Sequence, residues 1–209
     1  MMRKELVLVG AGGFGREVAW QISQLNEWRI LGFVDNDIGL TGSNINGLPV
    51  LGNNAWLENY ESDICVAITI ANPVVKERVY YTLKTNPRLT FPAIIAKDVQ
   101  IADSARLGKG CIICLSSIIT VNVKLGDFVA INPRSSVAHD TEIGCYSTLY
   151  YNVNIAGNVS ISNHVEIGTG STVIQGKAIG EKAIIGAGAV VVKDIPSGCT
   201  AVGVPAIPI

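Results

Sequence analysis

The sequence predicts a small α/β domain of the Rossmann type followed by a long parallel β-helix. Over residues 1–90, short apolar runs alternate with segments of helical periodicity, which favours a parallel sheet. A glycine-rich segment follows the first of these runs, as in sheets that bind nucleotides. Over residues 91–209 an aliphatic side chain recurs at every sixth position, and such a repeat favours a solenoid. We therefore predict a domain boundary between residues 90 and 91.

The first domain is predicted to contain three strands buried on both faces and joined by helices. The runs Leu6–Val9, Ile30–Val34 and Ile64–Ile68 are short and apolar. Residues 14–25 place apolar side chains at helical spacing between the first two strands. A further helix begins at Asn72-Pro73, which supply an N-cap and a proline at the first helical position. The domain is about half the size of a complete dinucleotide-binding fold.

The second domain is defined by an uninterrupted six-residue repeat. Each of the seventeen positions at intervals of six from Ile95 to Val191 is Ile, Leu or Val, and four residues further on the side chain is usually small or Val. Neither a helix nor simple strand alternation gives this period. We interpret each hexad as one side of a triangular coil, with three hexads closing one turn around an aliphatic core. One turn then takes eighteen residues, and no insertion breaks the repeat.

Composition excludes several classes of function. The net charge of −1 predicts no binding to nucleic acid or to an anionic membrane. The first apolar run is too short for a secretory signal, so we expect a cytoplasmic protein. The five cysteines include one CxxC pair and no second pair, which favours buried thiols. Two histidines cannot supply a three-histidine metal cluster, so we expect no metal cofactor.

The glycines of the first domain form a nucleotide-binding pattern. Gly10, Gly12 and Gly15 spell G-x-G-x-x-G after a strand and before a helix, and Asp35 ends the second strand. This pattern places phosphates at a helix N-terminus and a ribose on the acid. These residues alone are also compatible with a nicotinamide-linked oxidoreductase, so this alternative remains open.

Several segments together resemble the sugar acyltransferases of the PglD and NeuD families. They are Gly10–Gly15, Asn132–Asp140, Ile155–Val159 and Gly203–Ala206, so the resemblance covers essentially the whole chain. It implies a left-handed coil, an exception to the usual right-handed crossover, and a homotrimer. It also implies acetyl-CoA as co-substrate and, as acceptor, a nucleotide-linked amino sugar made for a surface glycan.

The resemblance implies catalytic roles for four residues. His139 is expected to take a proton from the acceptor as a general base. Asp140 is expected to orient its ring, provided that the pair lies at a coil bend. Gly157 lies eighteen residues beyond His139, so we expect it directly above, where its N–H would stabilise an oxyanion. Asn132 is expected to help place the acceptor.

Binding residues follow from the same resemblance. Contacts with coenzyme A are expected at Gly157, Thr148, Thr169 and Ala187, in the groove between neighbouring coils. The chain departs from close relatives at Thr148, where a second histidine is frequent, and at two acceptor positions, Phe14 and Thr69. The residues expected to bind the nucleotide sugar are Gly12, Gly13, Phe14, Asp35, Asn36 and Thr69.

Three other functions stay open on the sequence. The same machinery would serve O-acylation of a sugar or a sialic acid, because the base does the same work there. A nicotinamide-linked oxidoreductase would use the glycine motif. A non-catalytic solenoid would bind a nucleotide sugar as a sensor or scaffold.

Overall fold

The computed structural model describes residues 3–209. Contacts between Cα atoms divide the chain into two compact units, one ending at Lys97 and the other spanning Asp98–Ile209. Within residues 3–209, no helix is long and apolar enough to cross a bilayer. All five cysteines are free thiols, and Cys111 and Cys114 are buried.

The first unit is built around a six-stranded sheet. Its strands are β1 (Lys4–Val9), β2 (Trp28–Val34), β3 (Asn44–Ile45), β4 (Leu48–Gly52), β5 (Ile64–Ile68) and β6 (Leu89–Thr90). Its helices are α1 (Gly13–Ser23), α2 (Asn54–Glu58) and α3 (Pro73–Leu83), with a 3-10 turn at Ile38–Leu40. The strand order is β3-β4-β2-β1-β5-β6, and each neighbouring pair is parallel except β3 with β4.

The three predicted strands are β1, β2 and β5, and together they form the centre of this sheet. Leu6, Val7 and Leu8 in β1 are completely buried, as expected for a strand covered on both faces. The Asn72 side chain accepts a hydrogen bond from the N–H of Val75 and caps α3, as predicted. The hairpin of β3 and β4 and the edge strand β6 were not predicted. Strands β3 and β6 are only two residues long, and the apolar run of β4 contains Pro49, which argues against a strand.

The second unit begins within a series of two-residue strands spaced six residues apart. They are β7 (Ile94–Ile95), β8 (Gln100–Ile101), β9 (Arg106–Leu107), β10 (Ile112–Ile113), β11 (Ile118–Ile119), β12 (Lys124–Leu125), β13 (Ala130–Ile131), β14 (Ser136–Val137), β15 (Glu142–Ile143), β16 (Thr148–Leu149), β17 (Asn154–Ile155), β18 (Ser160–Ile161), β19 (Glu166–Ile167), β20 (Thr172–Val173), β21 (Ala178–Ile179), β22 (Ile184–Ile185) and β23 (Val190–Val191). The chain ends with β24 (Thr200–Val202) and β25 (Ile207–Pro208), which pair antiparallel.

These strands stack into three parallel faces. Face 1 contains β10, β13, β16, β19, β22 and β24; face 2 contains β8, β11, β14, β17, β20 and β23; face 3 contains β9, β12, β15, β18 and β21. From β8 to β23, paired strands are eighteen residues apart, as Lys124 and Glu142 are. The predicted turn of eighteen residues is therefore confirmed, and the register continues without a break to Val191.

The repeating aliphatic residue fills the centre of the coil. From Ile113 to Val191 every one of these side chains is at most 4% exposed. Ile95, Ile101 and Leu107 are more exposed, because the first turn has a neighbouring coil on only one side. The prediction that all seventeen side chains fill the core is therefore wrong for these three.

Buried hydroxyls at the small inner positions connect neighbouring coils. Thr141 is completely buried; its Oγ1 donates to the carbonyl of Ala156 (3.0 Å) and accepts from the N–H of Val159 (3.3 Å). Ser135 and Ser147 make equivalent pairs of bonds. Each hydroxyl thus satisfies backbone groups that the tight corner leaves without a strand partner.

After the first turn, the corners of the coil contain a residue in the left-handed region. From Gly110 to Gly188 each sixth residue has φ between 56° and 74°. Several of them, including Asn122, Asp140, Asn152 and Asn158, are Asn or Asp, which tolerate this conformation better than most side chains. Because the corners repeat regularly, those of successive turns stack into three edges that run along the coil. The candidate site lies on one of these edges.

Candidate active site

His139 and Asp140 form the turn between face 2 and face 3. They lie between strands β14 and β15, and Asp140 occupies the left-handed corner position with φ 58°. This bend turns the two neighbouring side chains toward each other, and Nδ1 of His139 lies 2.9 Å from Oδ2 of Asp140. The His139 side chain is 61% exposed, so its ring is accessible to a substrate.

The ionised carboxylate of Asp140 determines which nitrogen of the His139 imidazole carries the proton. Hydrogen bonds from Asn122 and then from His139 hold the pKa of the Asp140 carboxyl below its usual value. An ionised carboxylate only accepts hydrogen bonds, so in neutral His139 the proton is on Nδ1 and the lone pair is on Nε2. Nε2 is therefore the atom of this pair that can take a proton from an acceptor.

Gly157 lies one coil above His139, against the ring. The N–H of Asn158 donates to the carbonyl of His139 over 2.8 Å. A Cβ added to Gly157 would lie 2.4 Å from both Nε2 and Cε1 of His139, so only glycine fits against the ring in this position. Within residues 3–209 the N–H of Gly157 has no hydrogen-bond acceptor. A free donor thus lies beside the basic nitrogen.

Asn132 lies on a different edge of the coil, between face 1 and face 2. Its side chain is buried, and its Oδ1 has no hydrogen-bond partner among the described residues. Strand β14 separates it from His139, so the structure does not bring these two residues together within one chain.

Thr169 and Ala187 lie on the same edge as Asn132, stacked one coil apart. The N–H of Gly188 donates to the carbonyl of Thr169 over 2.8 Å, and both Thr169 and Ala187 are exposed. Next to them, Gly170 and Gly188 have open space where a side chain would lie. Small residues therefore leave the backbone along this edge accessible to an extended ligand.

Thr148 does not fit the contact expected of it. It lies in β16 on face 1, and its side chain is completely buried. Since no part of this side chain is accessible, the structure contradicts the prediction that Thr148 contacts a coenzyme.

A separate cavity of about 600 Å³ lies within the first unit, at the carboxyl ends of β1, β2 and β5. This is the edge at which open parallel sheets bind ligands, and the volume suits a small organic molecule. All six residues predicted to bind the nucleotide sugar line it. They are Gly12, Gly13, Phe14, Asp35, Asn36 and Thr69.

Asp35 holds the glycine-rich loop to the end of β2. Its Oδ2 accepts from the N–H of Ala11 (2.8 Å), and its Oδ1 accepts from the N–H of Asp37 (2.9 Å). In addition, Gly15 must be glycine, because a Cβ there would lie 1.9 Å from the carbonyl oxygen of Gly10. The carboxylate therefore shapes the cavity and keeps further lone pairs for a ligand hydroxyl or N–H.

Thr69 lines the cavity, but its hydroxyl is engaged with the protein. The side chain is buried, and Oγ1 lies 2.9 Å from the carbonyl oxygens of both Val9 and Gly10. Its one hydrogen is shared between these acceptors. The hydroxyl thus fastens the glycine-rich loop to β5, and the methyl group is left to contact a ligand.

Similarity to known proteins identifies the family of the chain. Residues 5–83 match the PglD N-terminal domain family. The GDP-perosamine N-acetyltransferase of Escherichia coli O157:H7 is 34% identical over 95% of this chain and 93% of its own length. The chain belongs to the PglD family of sugar acetyltransferases.

Solved structures of this family show the same fold over nearly the whole chain. PerB from Caulobacter crescentus, in complex with CoA and GDP-perosamine, has a TM-score of 0.89 at 28% identity, covering 98% of this chain and 97% of that one. The acetyltransferase domain of PglB from Neisseria gonorrhoeae FA1090 has a TM-score of 0.92 at 29% identity, covering 99% and 100%. The predicted fold, a Rossmann-like α/β domain followed by a left-handed β-helix, is confirmed.

Membership of the PglD family decides between the functions that the sequence left open. The chain is an acetyltransferase, so the oxidoreductase and the non-catalytic solenoid are set aside. Among residues 3–209, no group of three or more His, Cys, Asp or Glu side chains could hold a metal ion.

The structure of this PglD-family chain adds two residues to the cavity that the sequence did not predict. Arg78 is the only cationic side chain among the described residues lining it, and its guanidinium has no partner within residues 3–209. Asn54, at the start of α2, has a buried Oδ1 without a partner among the same residues. A helical signal pointed to Arg78, because Val75, Arg78, Val79 and Thr82 share one face of α3.

Proposed function

We propose that this protein transfers the acetyl group of acetyl-CoA to the amino group of a nucleotide-linked amino sugar, in the biosynthesis of a surface glycan. The observation that carries the proposal is the arrangement of His139 and Gly157. A base with its lone pair on Nε2 lies beside an unoccupied backbone N–H. Acyl transfer needs both groups within a few ångströms of the same carbonyl carbon.

In this reaction His139 Nε2 takes the proton that the acceptor amine loses as its nitrogen attacks the acetyl carbonyl. Asp140 stabilises the imidazolium that forms. The Gly157 N–H donates to the oxygen of the tetrahedral intermediate, where negative charge collects. When the C–S bond breaks, the imidazolium gives its proton to the departing thiolate, and His139 returns to its starting state.

We propose a homotrimer built through face 2. The outward side chains of face 2 are uncharged, namely Gln100, Ile118, Ser136, Asn154, Thr172 and Val190. Face 3 instead presents Arg106, Lys124 and Glu142. Two apolar residues on face 2 or at its border are strongly exposed: Ile118 on the face (42%) and Val121 at the His139 edge (50%). An uncharged face with exposed aliphatic residues is suited to cover by other copies of the chain.

A threefold assembly of this kind explains why the candidate residues lie on two edges. Face 2 is bordered by the His139 edge on one side and by the edge of Thr169 and Ala187 on the other. When three copies turn face 2 toward a common axis, the His139 edge of one protomer meets the other edge of its neighbour. We propose that acetyl-CoA lies along Thr169 and Ala187 of one subunit and reaches His139 and Gly157 of the next.

The cavity of the first unit suits the nucleoside diphosphate part of the acceptor. We propose that the N-terminus of α1, at Gly12 and Gly13, and the guanidinium of Arg78 bind the two phosphates. Asp35, Asn36 and Asn54 also line the cavity and supply acceptor oxygens for the base or the ribose. Guanine presents adjacent N–H donors that suit these oxygens, and the relative from Escherichia coli is named for GDP-perosamine. We therefore propose a GDP-linked amino sugar, used in the cytoplasm.

A substrate panel tests this proposal. The protein is incubated with acetyl-CoA and GDP-, UDP- or dTDP-linked amino sugars, and thiol release is followed. We expect GDP-perosamine to be acetylated, with kcat/KM at least about tenfold above UDP and dTDP sugars, because the wrong base leaves buried acceptors unpaired. The matched 4-hydroxy sugar tests O-transfer, which we expect to be far slower. Equal rates with all three nucleotides, or release with the hydroxy sugar alone, would overturn the proposal.

A further inference from the structure

Asp140 makes a second hydrogen bond besides the one with His139. Nδ2 of Asn122, one coil earlier, donates to Oδ1 of Asp140 over 3.0 Å. Asn122 and Asp140 occupy equivalent corner positions, with φ 61° and 58°, and lie directly above one another. In addition, the N–H of Asp140 donates to the carbonyl of Val121 over 3.1 Å. The two coils are thus linked by both backbone and side chain at this corner.

Asn122 is itself held in place from the preceding coil. Its N–H donates to Oγ of Ser104 over 2.9 Å, which lies eighteen residues before it. A chain of hydrogen bonds therefore runs along one edge from Ser104 through Asn122 and Asp140 to the imidazole of His139. All the side chains in this hydrogen-bond chain are exposed to solvent. Their orientation therefore depends on hydrogen bonds rather than on close packing.

We infer that Asn122 is a positioning residue for the reaction, acting through Asp140 on the tautomer of His139. This inference rests on the proposed role of His139 as the base. The amide of Asn122 donates to Oδ1 and so turns Oδ2 toward Nδ1 of the imidazole. Because it is neutral, it orients the carboxylate without cancelling the charge that stabilises the imidazolium. No motif pointed to this role, since Asn122 lies outside the segments that resemble the family.

Three variants separate this role from a structural one. Asn122→Gly removes the amide and suits the left-handed corner, so the coil should fold normally. Asn122→Asp keeps the size of the side chain and turns the donor into an acceptor. The double variant Asn122→Asp with Asp140→Asn restores a donor–acceptor pair in the reverse sense. Lys182→Gly is the control, because it makes the same backbone change at a corner with φ 59° on another edge.

We expect Asn122→Gly to lower kcat about five- to tenfold and to change KM less than about twofold, as the loss of one hydrogen bond to a charged group predicts. Asn122→Asp should lose more activity at pH 8 than at about pH 5.5, since two facing carboxylates share a proton only at the lower pH. The double variant should be more active than Asp140→Asn alone. In it, the carboxylate introduced at position 122 accepts from the new amide at position 140, which turns the amide oxygen toward Nδ1.

A measurement without substrate separates this inference from the proposed function. The chain has only two histidines, so the ¹⁵N spectrum of labelled imidazoles resolves the tautomer of His139 directly. Asn122→Gly should lower the Nδ1–H fraction of His139, and Lys182→Gly should leave it unchanged. An unchanged tautomer in Asn122→Gly would overturn the role of Asn122, whatever the acceptor sugar. A double variant no more active than Asp140→Asn would overturn it as well.

Discussion

The imidazole of His139 lies directly against the backbone of Gly157, eighteen residues later in the chain. A Cβ on Gly157 would lie 2.4 Å from Nε2 and Cε1 of the ring, well inside van der Waals contact. Both the candidate base and the candidate oxyanion donor thus depend on the absence of a side chain at one position. The φ of Gly157 is outside the left-handed region, so alanine is acceptable to the backbone there.

Gly157→Ala should therefore abolish most activity at little cost in stability. The added methyl pushes the ring away from the N–H, and a displacement of about 1 Å should lower kcat on the order of 100-fold. Steady-state kinetics and chemical denaturation would be measured together. Gly176→Ala is the matched control: it has φ 67° and open space around it, so it should lose about 1 kcal/mol and keep its kcat. Equal kcat values for Gly157→Ala and the natural protein would contradict the proposed geometry.

Asp140→Asn should reverse the tautomer of His139. Asn122 donates to one oxygen of the residue at position 140, so the amide NH₂ of the new asparagine would face Nδ1. The proton then lies on Nε2, which can no longer act as a base, and kcat should fall on the order of 100-fold. The natural carboxyl has a lowered pKa, so it is ionised at neutral pH and the full difference in kcat should be seen there. The difference in kcat between the natural protein and Asp140→Asn should narrow only as the pH falls through the pKa of Asp140.

The periodic part of the fold was predictable from the sequence because one physical constraint recurs every six residues. The interior of the coil admits one large aliphatic residue per side, so Ile113 and its successors could not vary freely. The same period correctly predicted that Gly157 lies one turn above His139. The predicted burial of the repeating aliphatic residue was wrong only where this constraint ends. Ile101 and Leu107 lie in the first turn, which has a coil on only one side.

Residues that face outward carry no comparable signal in the sequence. Asn122 contacts Asp140, eighteen residues later in the chain, and looks like an ordinary surface residue in the sequence. The helical period places Arg78 on one face of α3, but it does not show that this face lines a cavity. For Thr148 the error was the opposite one, a contact predicted where none can form. The coenzyme contact was assigned to it from its distance along the chain from His139, but its side chain is buried. Site residues that touch a ligand or another side chain follow from three-dimensional position, which a repeat period alone does not give.

The buried hydroxyl of Thr141 should contribute measurably to stability. Thr141→Val removes a donor and an acceptor from a fully buried position and leaves the carbonyl of Ala156 and the N–H of Val159 without a partner. We expect a loss of about 1–3 kcal/mol. Thr120→Val is the control, since its Oγ1 is buried without a partner among the described residues. That change should be neutral, and urea denaturation at one protein concentration compares the two. Equal losses would show that the hydroxyl of Thr141 contributes nothing specific.

Arg78→Leu should weaken binding of the nucleotide sugar and spare the chemical step. Its guanidinium is the only cation lining the cavity among the described residues, so its loss removes one charge-assisted hydrogen bond to phosphate. The KM for the sugar should rise about tenfold or more, and that for acetyl-CoA should stay unchanged. Calorimetric titration with GDP and with guanosine locates the effect, since only GDP should bind more weakly. Arg88→Leu, on an exposed arginine paired with Asp63, is the control. Unchanged GDP affinity would exclude Arg78 from phosphate binding.

Mixed assemblies should show whether each site is shared between two protomers. His139→Ala disables one edge of face 2, and Thr169→Trp fills the groove on the other edge, so each variant should be inactive by itself. When the two are co-expressed, some sites combine an intact His139 edge from one subunit with an intact Thr169 edge from its neighbour. Random assembly of a cyclic trimer makes about one site in four complete, so about a quarter of the natural activity should return. A site contained in one chain predicts no recovery, because every chain in the mixture has one disabled edge.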